Sequence, residues 1–332
     1  MQRVIIAYNP RSSRQLRIQK EVIRPLAGLG GYQVGKYEVK KISVNENAKM
    51  LAQLLMDGDL LISAGGDGTS TMALNAAMLS KKDVTLGVLG YGNFNDCARM
   101  LGEKNCKDLI YDFENGSVQR LFPMEAFLDG EHWRYAACYF TVGMFAESTE
   151  AFNKQEIRDK LKRGKKGLIY SILVLAKWFF RNKKRDFLPK DIQLGNVPMN
   201  RMKISKSGKE NIVQVAPSRR VSDVLMVNSK TVARLMRGGN YWQNPDEIFV
   251  SYGRLKSFWR LMWFMMRSIV AHLPGKKYCS KKDEESRGDV IVKVDFSGPE
   301  EFEIQAEGEY SRVKAKELVI KKDTHGIKVV CR

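Results

Sequence analysis

No apolar run in this chain is long enough to cross a bilayer: the longest, Leu168–Ala176, falls well short of the roughly 20 residues a spanning helix needs. Any meeting with a membrane is therefore expected at its surface. The amino terminus, MQRVIIAYNPRSS, offers four apolar residues before the turn-forming Asn9 and Pro10, too few for the hydrophobic region of a secretory leader. Cysteine is sparse and unpatterned: Cys97, Cys106, Cys138, Cys279 and Cys331 are odd in number with no C-x-x-C, so neither a disulfide framework nor a zinc site is indicated and a reducing, cytoplasmic setting is expected. Only three histidines occur, His132, His272 and His325, too far apart for a metal or triad spacing. G-x-x-x-x-G-K-[ST] is missing, which excludes a P-loop, and no G-x-G-x-x-G opens a helix, which argues against a Rossmann dinucleotide site. Acid is in deficit, with 37 Asp and Glu against 56 Lys and Arg, a formal net charge of +19. Such a field attracts polyanions: nucleic acid, anionic headgroups or nucleotide phosphates. No aromatic-basic recognition motif accompanies the charge, so nucleic acid is not the expected partner.

What is present is enough apolar sequence, 44% of 332 residues, for two cores. In the first third, short β-branched runs alternate with helical patterns: Val4 to Ala7, Asp59 to Ala64 and Thr85 to Leu89 read as buried strands, and Gln15 to Leu26, Glu46 to Met56 and Ser70 to Leu79 as helices. That is the pattern of a parallel sheet with helical crossovers. From about Glu125 the texture changes to strand-like segments separated by turns: Tyr135 to Val142, Asn211 to Val215, Val224 to Val227, Ile248 to Tyr252 and, after a charged loop over Lys276 to Arg287, Val290 to Val294, Glu303 to Gln305 and Leu318 to Ile320. The expected organisation is an α/β domain over 1–123, a mostly antiparallel β-domain over 124–304, and a terminal segment, 305–332, returning to the first domain. No internal repeat or low-complexity tract interrupts it.

Chemistry in parallel sheets lies beyond the carboxyl ends of the strands. Three expected strands run there into polar loops: Asn9-Pro10-Arg11-Ser12-Ser13, Gly65-Gly66-Asp67-Gly68-Thr69 and Gly90-Tyr91-Gly92-Asn93-Phe94-Asn95-Asp96. Glycines let backbone amides approach phosphate oxygens, a helix amino terminus favours anions, and Asp67 can hold a metal ion or its water. The plainer alternative is a βα turn in which Asp67 or Thr69 merely caps a helix.

The order of these motifs resembles the diacylglycerol kinase catalytic domain family, which includes bacterial lipid kinases and sphingosine kinases and is distantly similar to NAD kinases. The family's GGDGT stands intact at Gly65 to Thr69; its Asn-Pro-x-Ser-Gly loop is matched by Asn9 to Ser13, with serine last; and its P-x-G-T-x-N-D-x-A-R is matched by Gly90 to Arg99, with Gly90 and Asn93 in place of Pro and Thr. Met72 stands where relatives carry a glutamate, and the terminal Asp-Gly-Glu reads Glu307-Gly308-Glu309. The resemblance implies an NAD kinase-like α/β nucleotide-binding domain followed by a β-sandwich, and transfer of a phosphoryl group from ATP, with Mg2+, to a diacylglycerol-like lipid in phospholipid metabolism. It further implies that Asn9, Pro10, Arg11, Ser12, Gly65, Gly66, Gly68, Thr69, Gly92, Asn93 and Asn95 hold the nucleotide, that Asp67, Asp96 and Glu125 hold the metal, and that Glu309, with Glu307 beside it, takes the proton from the acceptor hydroxyl. An NAD kinase and a non-catalytic lipid or nucleotide sensor remain the rival readings, and Glu307 and Glu309 as two solvated acids on an edge strand the plainer one. A homodimer is left open.

Two stretches bear on a lipid. Leu168 to Phe180, rich in Trp and Phe, lies between the basic runs 160–166 and 181–185. Such flanks suit an interfacial helix at an anionic membrane surface, with Lys162, Arg163, Lys165 and Lys166 as the expected contacts, although a buried helix with solvated ends has the same composition. Phe258 to Met266 reads first as core packing and second as the lining of an acyl-chain groove.

Overall fold

In the computed structural model the described residues are 1–92, 94–153, 165–182, 193–194, 211–213, 223–229, 231–232, 236–237, 241–245, 247–253, 283–287 and 290–331. They form an α/β unit and a β unit. The first is built on β1 (Gln2–Tyr8), β2 (Tyr32–Glu38), β3 (Leu60–Gly65), β4 (Thr85–Gly90) and β5 (Val118–Leu121), in the order β2-β1-β3-β4-β18-β5, where β18 is Ile327–Val330 from the far end of the chain. All neighbours are parallel except β18 and β5. β3 is buried from end to end, as a central strand covered on both faces must be. Alternate residues serve the two faces: Ile5, Ala7 and Leu61 pack under α3 (Val44–Ala52) and α4 (Asp67–Ser80), while Val4, Ile6, Leu60 and Ile62 pack against the helical segment 15–27 and α6 (Cys106–Glu114).

The local signals act as their chemistry requires. Ser43 and Glu46 form a reciprocal capping box that starts α3, two residues before the expected start at Glu46. The segment expected as one helix from Gln15 is α1 (Gln15–Ile18), a π-helical turn Gln19–Ile23 and α2 (Arg24–Ala27). The π turn precedes Pro25, which has no N–H to give to the i−4 carbonyl. A short α5 (Asp96–Met100) follows the second glycine loop.

Among the described residues the second sheet has ten strands: β6 (Met124–Leu128), β7 (Glu131–Ala136), β8 (Tyr139–Gly143), β9 (Gln193–Leu194), β10 (Asn211–Val213), β11 (Asp223–Val227), β14 (Glu247–Gly253), β15 (Asp283–Arg287), β16 (Val290–Ala306) and β17 (Glu309–Lys322), with β12 (Thr231–Val232) and β13 (Met236–Arg237) as a separate ribbon. Every pairing is antiparallel except β10 with β16. Helices α7 (Met144–Asn153) and α8 (Lys165–Asn182) pack on each other beside this sheet. The expected α/β plus β architecture is the one observed.

Three expectations are corrected. The single strand over Tyr135 to Val142 is two, because Asn228 draws the carbonyls of Ala137 and Cys138 out of the ladder at 2.8 and 2.7 Å. Part of the expected charged loop, Asp283–Arg287, is an edge strand paired with β14; an edge tolerates charged side chains, which hid it. The return to the first sheet comes at β18 rather than at residue 305, since β17 still belongs to the second sheet. Both chain crossings, Phe122-Pro123 and Lys322-Asp323, meet at one buried ammonium. Lys322 Nζ donates to Phe122 O at 2.9 Å, to Tyr241 O at 3.0 Å and to Asn228 Oδ1.

Candidate active site

The strand ends bring the three loops side by side. Tyr8 pairs with Ala64 and Gly65 with Gly90, so the loops after β1, β3 and β4 share one rim. Asn9 shapes the first: its Oδ1 accepts from Arg11 N at 2.9 Å and its carbonyl from Ser12 N at 3.1 Å, while Ser12 Oγ accepts from Arg14 N at 3.2 Å. Pro10 lies within this turn, and the exposed Arg11 reaches Val39 O at 3.5 Å. The other two loops interlock backbone to backbone. A Cβ on Gly92 would stand 2.5 Å from Gly66 Cα, and one on Gly65 would stand 2.4 Å from Thr69 Oγ1. No side chain fits at either glycine, which is how the chain holds bare amides at the start of α4.

Asp67, the first residue of α4, ties the loops together. Its Oδ2 accepts from Asn95 N at 3.0 Å and its Oδ1 from Asp96 N at 2.7 Å. Asn95, held in the left-handed region at φ +53°, returns its side-chain oxygen to Gly92 N at 2.6 Å. Asp96 is buried and paired with Arg99 one helical turn on. The third acid of the group comes from the second sheet. Glu307 and Gly308, at φ +51° and +85°, form the two-residue tip that joins β16 to β17, and Glu307 is 2% exposed. Its Oε2 accepts from Thr71 Oγ1 at 2.6 Å and its Oε1 from Cys138 N at 2.5 Å. A non-glycine residue in that conformation costs energy, and these bonds offset it. Burial, then Asp96, then Glu307 push the Asp67 carboxyl up to about 7. Burial likewise raises Glu307.

Next in the chain, Glu309 lies against the glycine loop: a Cβ on Gly68 would stand 2.1 Å from Glu309 Oε1. Asp67, Asp96, Glu307 and Glu309 are therefore brought together. Glu125 is not. Its carboxylate accepts from Tyr135 OH at 3.1 Å and stands 4.0 Å from both Lys321 and His132, and burial raises it without any contribution from Asp67 or Asp96. It points into the second sheet's own polar group because Tyr135, its cross-strand neighbour on β7, supplies the donor. Asn93, Lys162, Arg163 and the stretch Phe258 to Met266 lie outside the described residues; Lys165 and Lys166 open α8, and their side chains are likewise outside them.

Met72 is 1% exposed among the core side chains under the first sheet, so its departure from the family leaves the acid group untouched. Sequence reasoning passed over Thr71 and Arg99. Both were in reach: Thr71 falls one turn after Asp67 on α4, and Arg99 three residues after Asp96 on α5. Arg134 had no such signal. It is buried on β7, its Nε donates to Asn45 Oδ1 at 2.9 Å, and burial pushes its guanidinium down while the charges of Glu309 and then Glu307 oppose that shift.

Among the described residues no three His, Cys, Asp or Glu side chains gather as a ready metal site. Magnesium asks for less, since it is commonly held by one or two carboxylates, waters and the substrate's own phosphates. Asp67 and Asp96, hard oxygen donors whose negative charges oppose each other, fit that donor set.

Residues 3–122 match the family model of the diacylglycerol kinase catalytic domain. The match covers β1 to β5 of the first sheet. A diacylglycerol kinase of Bacillus subtilis (strain 168) is 35% identical over 104 residues, which are 31% of this chain and 34% of the relative. One of Staphylococcus saprophyticus is 33% identical over 103 residues, 30% of this chain and 32% of the relative. The matched stretch thus spans a third of the length of these curated relatives. A crystal structure of a diacylglycerol kinase from Bacillus anthracis str. Sterne superposes over 100% of this chain and 97% of its own, with a TM-score of 0.62 at 14% identity, a likeness of fold alone. The likeness of fold therefore extends past residues 3–122, over the second sheet that brings Glu307 and Glu309.

Proposed function

We propose that the protein is a lipid kinase that transfers the γ-phosphoryl group of ATP to the hydroxyl of diacylglycerol or a similar lipid. The observation that carries this reading is the contact of Glu309, from the second sheet, with Gly68 in the glycine loop of the first. Phosphoryl transfer needs positioning and neutralised charge more than covalent chemistry. In this reading the amides of Gly65 to Thr69 and of the loop at Gly92 to Asn95, with the turn Asn9 to Ser12, hold the phosphates. Asp67 and Asp96 hold Mg2+, which when bound supplies positive charge to the phosphate oxygens. Glu309 takes the proton of the lipid hydroxyl as its oxygen bonds to the γ-phosphorus; the bond from that phosphorus to the β–γ bridging oxygen breaks and ADP leaves. Glu307 fixes the hairpin tip through Thr71 and Cys138, which holds Glu309 in reach.

We further read residues 1–123 as the nucleotide-binding unit and the second sheet as the lipid-binding unit, working at the anionic surface of a cytoplasmic leaflet. No described helix is long and apolar enough to cross the membrane. Transfer from labelled ATP to a panel containing diacylglycerol, sphingosine and NAD tests the reading. Label in a lipid and not in NAD is the expected result; label in NAD alone, or in nothing while ATP still binds, would replace it with one of the rivals.

A further inference from the structure

Arg134 on β7 is a buried cation without an anion of its own. It is 4% exposed, and among the described residues no carboxylate pairs with it. Its holders are neutral. Nε donates to Asn45 Oδ1 at 2.9 Å, the Nδ2 of that asparagine donates back to Trp133 O at 2.9 Å, and the guanidinium lies 4.5 Å from the centroid of the Trp133 ring. Nη1 is sealed from water and has no partner. A guanidinium is charged at any physiological pH, so burying one of its N–H groups unmatched is costly. An arriving anion is the partner that would complete it.

Two acids act on this cation, Glu309 first and Glu307 second, both from the hairpin tip that reaches the first unit. Neither is hydrogen-bonded to it: Glu307 is committed to Thr71 Oγ1 and Cys138 N, and Glu309 lies against Gly68. Arg134 therefore stands within the field of the proposed base, on the second-sheet side, whereas the bare amides and the Asp67–Asp96 pair belong to the first unit. In the proposed reaction the hydroxyl lies within hydrogen-bond reach of Glu309 and its oxygen bonds to the γ-phosphorus, which brings the phosphoryl oxygens to the same place. On the nucleotide side their charge is met by the amides and at the Asp67–Asp96 site. On the lipid side the cation at hand is Arg134, and there the product ends as a phosphate monoester carrying about −1.5 to −2. We propose that Arg134 binds the transferred phosphoryl group, Nη1 donating to an oxygen of the lipid phosphate as that product forms. A guanidinium fork fits phosphate oxygens better than a point charge does. The inference rests on the lipid-kinase reading, in which Glu309 faces the acceptor hydroxyl. A purely architectural role, tying β7 to α3 through Asn45, would instead give lost stability without lost phosphate affinity.

Inhibition of the full chain by water-soluble dihexanoyl phosphatidate, with dihexanoylglycerol as acceptor, tests it. Arg134→Met should raise the inhibition constant of the phosphatidate by about ten- to hundred-fold, the worth of a hydrogen bond between charged groups, and lower kcat. KM for the neutral acceptor and Kd for ATP should stay within about three-fold of wild type, since neither carries the new monoester. A rise in the inhibition constant of less than about three-fold would overturn the proposal even if Tm falls, because an architectural role moves stability alone. Weaker ATP binding with unchanged phosphatidate binding would overturn it too, placing the guanidinium on the nucleotide. Should Arg134→Met fail to fold, Arg134→Lys serves: it keeps the charge and loses the fork, so a loss of about three-fold or more is expected and a smaller one refutes the contact. Calorimetric titration of the phosphatidate separates this site from the reaction. A protein that phosphorylates the acceptor yet binds phosphatidate equally well without Arg134 keeps the reaction and refutes the site; one that transfers to no lipid yet binds phosphatidate through Arg134 keeps the site and refutes the reaction.

Discussion

Replacing Gly68 by alanine should separate stability from turnover. Gly68 is the second residue of α4, and its φ lies outside the left-handed region, so the backbone accepts an L side chain there. Alanine in place of glycine within a helix is worth up to about 1 kcal/mol, less in the first turn, so the fold should be as stable as the wild type or slightly more so. The obstacle is Glu309. The new Cβ would stand 2.1 Å from its Oε1, 2.9 Å from its Cδ and 3.4 Å from its Cγ. Carbon and oxygen need well over 3 Å, and the group that can yield is the carboxylate at the end of a flexible side chain, which must retreat by roughly 1 Å. A displacement of that size at a reacting group costs on the order of 10²-fold in rate. Gly68→Ala should therefore lower kcat about 100-fold, leave Tm unchanged or raised by about 2 °C, and leave ATP affinity within a few-fold of wild type. Initial rates, a thermal melt and calorimetric titration of ATP measure the three quantities. A kcat within three-fold of wild type would refute Glu309 as the base in the position seen; a large loss of ATP affinity would move the role of Gly68 to the nucleotide.

Other consequences can be checked alongside. Glu309→Gln should lower kcat by about 10²- to 10⁴-fold with little change in ATP binding, read from steady-state rates and titration. Asp67 is raised in the folded state, so the fold binds more protons than the unfolded chain between the ordinary carboxyl range and about 7; stability from this group is present at low pH and lost as pH rises through that window. Melts of wild type and Asp67→Asn across it should therefore diverge, wild type losing more Tm toward neutral pH, and parallel curves would refute the coupling. Asp67→Ala should abolish transfer and, unlike a change in a freely exposed loop, also lower stability, because two backbone N–H groups of the second loop lose their acceptor. Lys322→Met removes the donor of Asn228 Oδ1, whereas Phe122 O keeps Asn228 Nδ2 and Tyr241 O keeps Asn244 N, so its urea midpoint should fall by the equivalent of about 1–3 kcal/mol.

The sheet was legible because β3 and β4 are short continuous apolar runs that feed glycine loops, and a fully buried parallel strand has little freedom to look otherwise. The acids at Asp67 and Asp96 were legible for the same reason, each standing at the end of such a strand. Glu307 and Glu309 were reached only by resemblance: nothing local says that a hairpin tip near the end of the chain will meet the second turn of a helix near its beginning. Glu125 misled because the acid that opens the second unit can bond sideways to Tyr135 or forward into the cleft, and the choice depends on a cross-strand partner ten residues on. Asp283–Arg287 was hidden by its composition, since an edge strand and a charged loop use the same letters. Thr71 and Arg134 act through three-dimensional neighbours and have no motif of their own.

The position of β18 between β4 and β5 has a consequence for how the protein comes to be made. When residues 1–122 have been synthesised, the loops after β1, β3 and β4 have all emerged, but the sheet has a gap. The β4 edge and β5 each lack the neighbour that Ile327–Val330 will supply some two hundred residues later. Until then the nascent α/β unit offers unsatisfied strand edges of the sort that chaperones hold and that identical chains exchange. The stretch matched by the family model thus lacks one strand of its own sheet. A strand some two hundred residues downstream closes the first sheet, so a chain cut before Ile327 is left without a finished α/β unit.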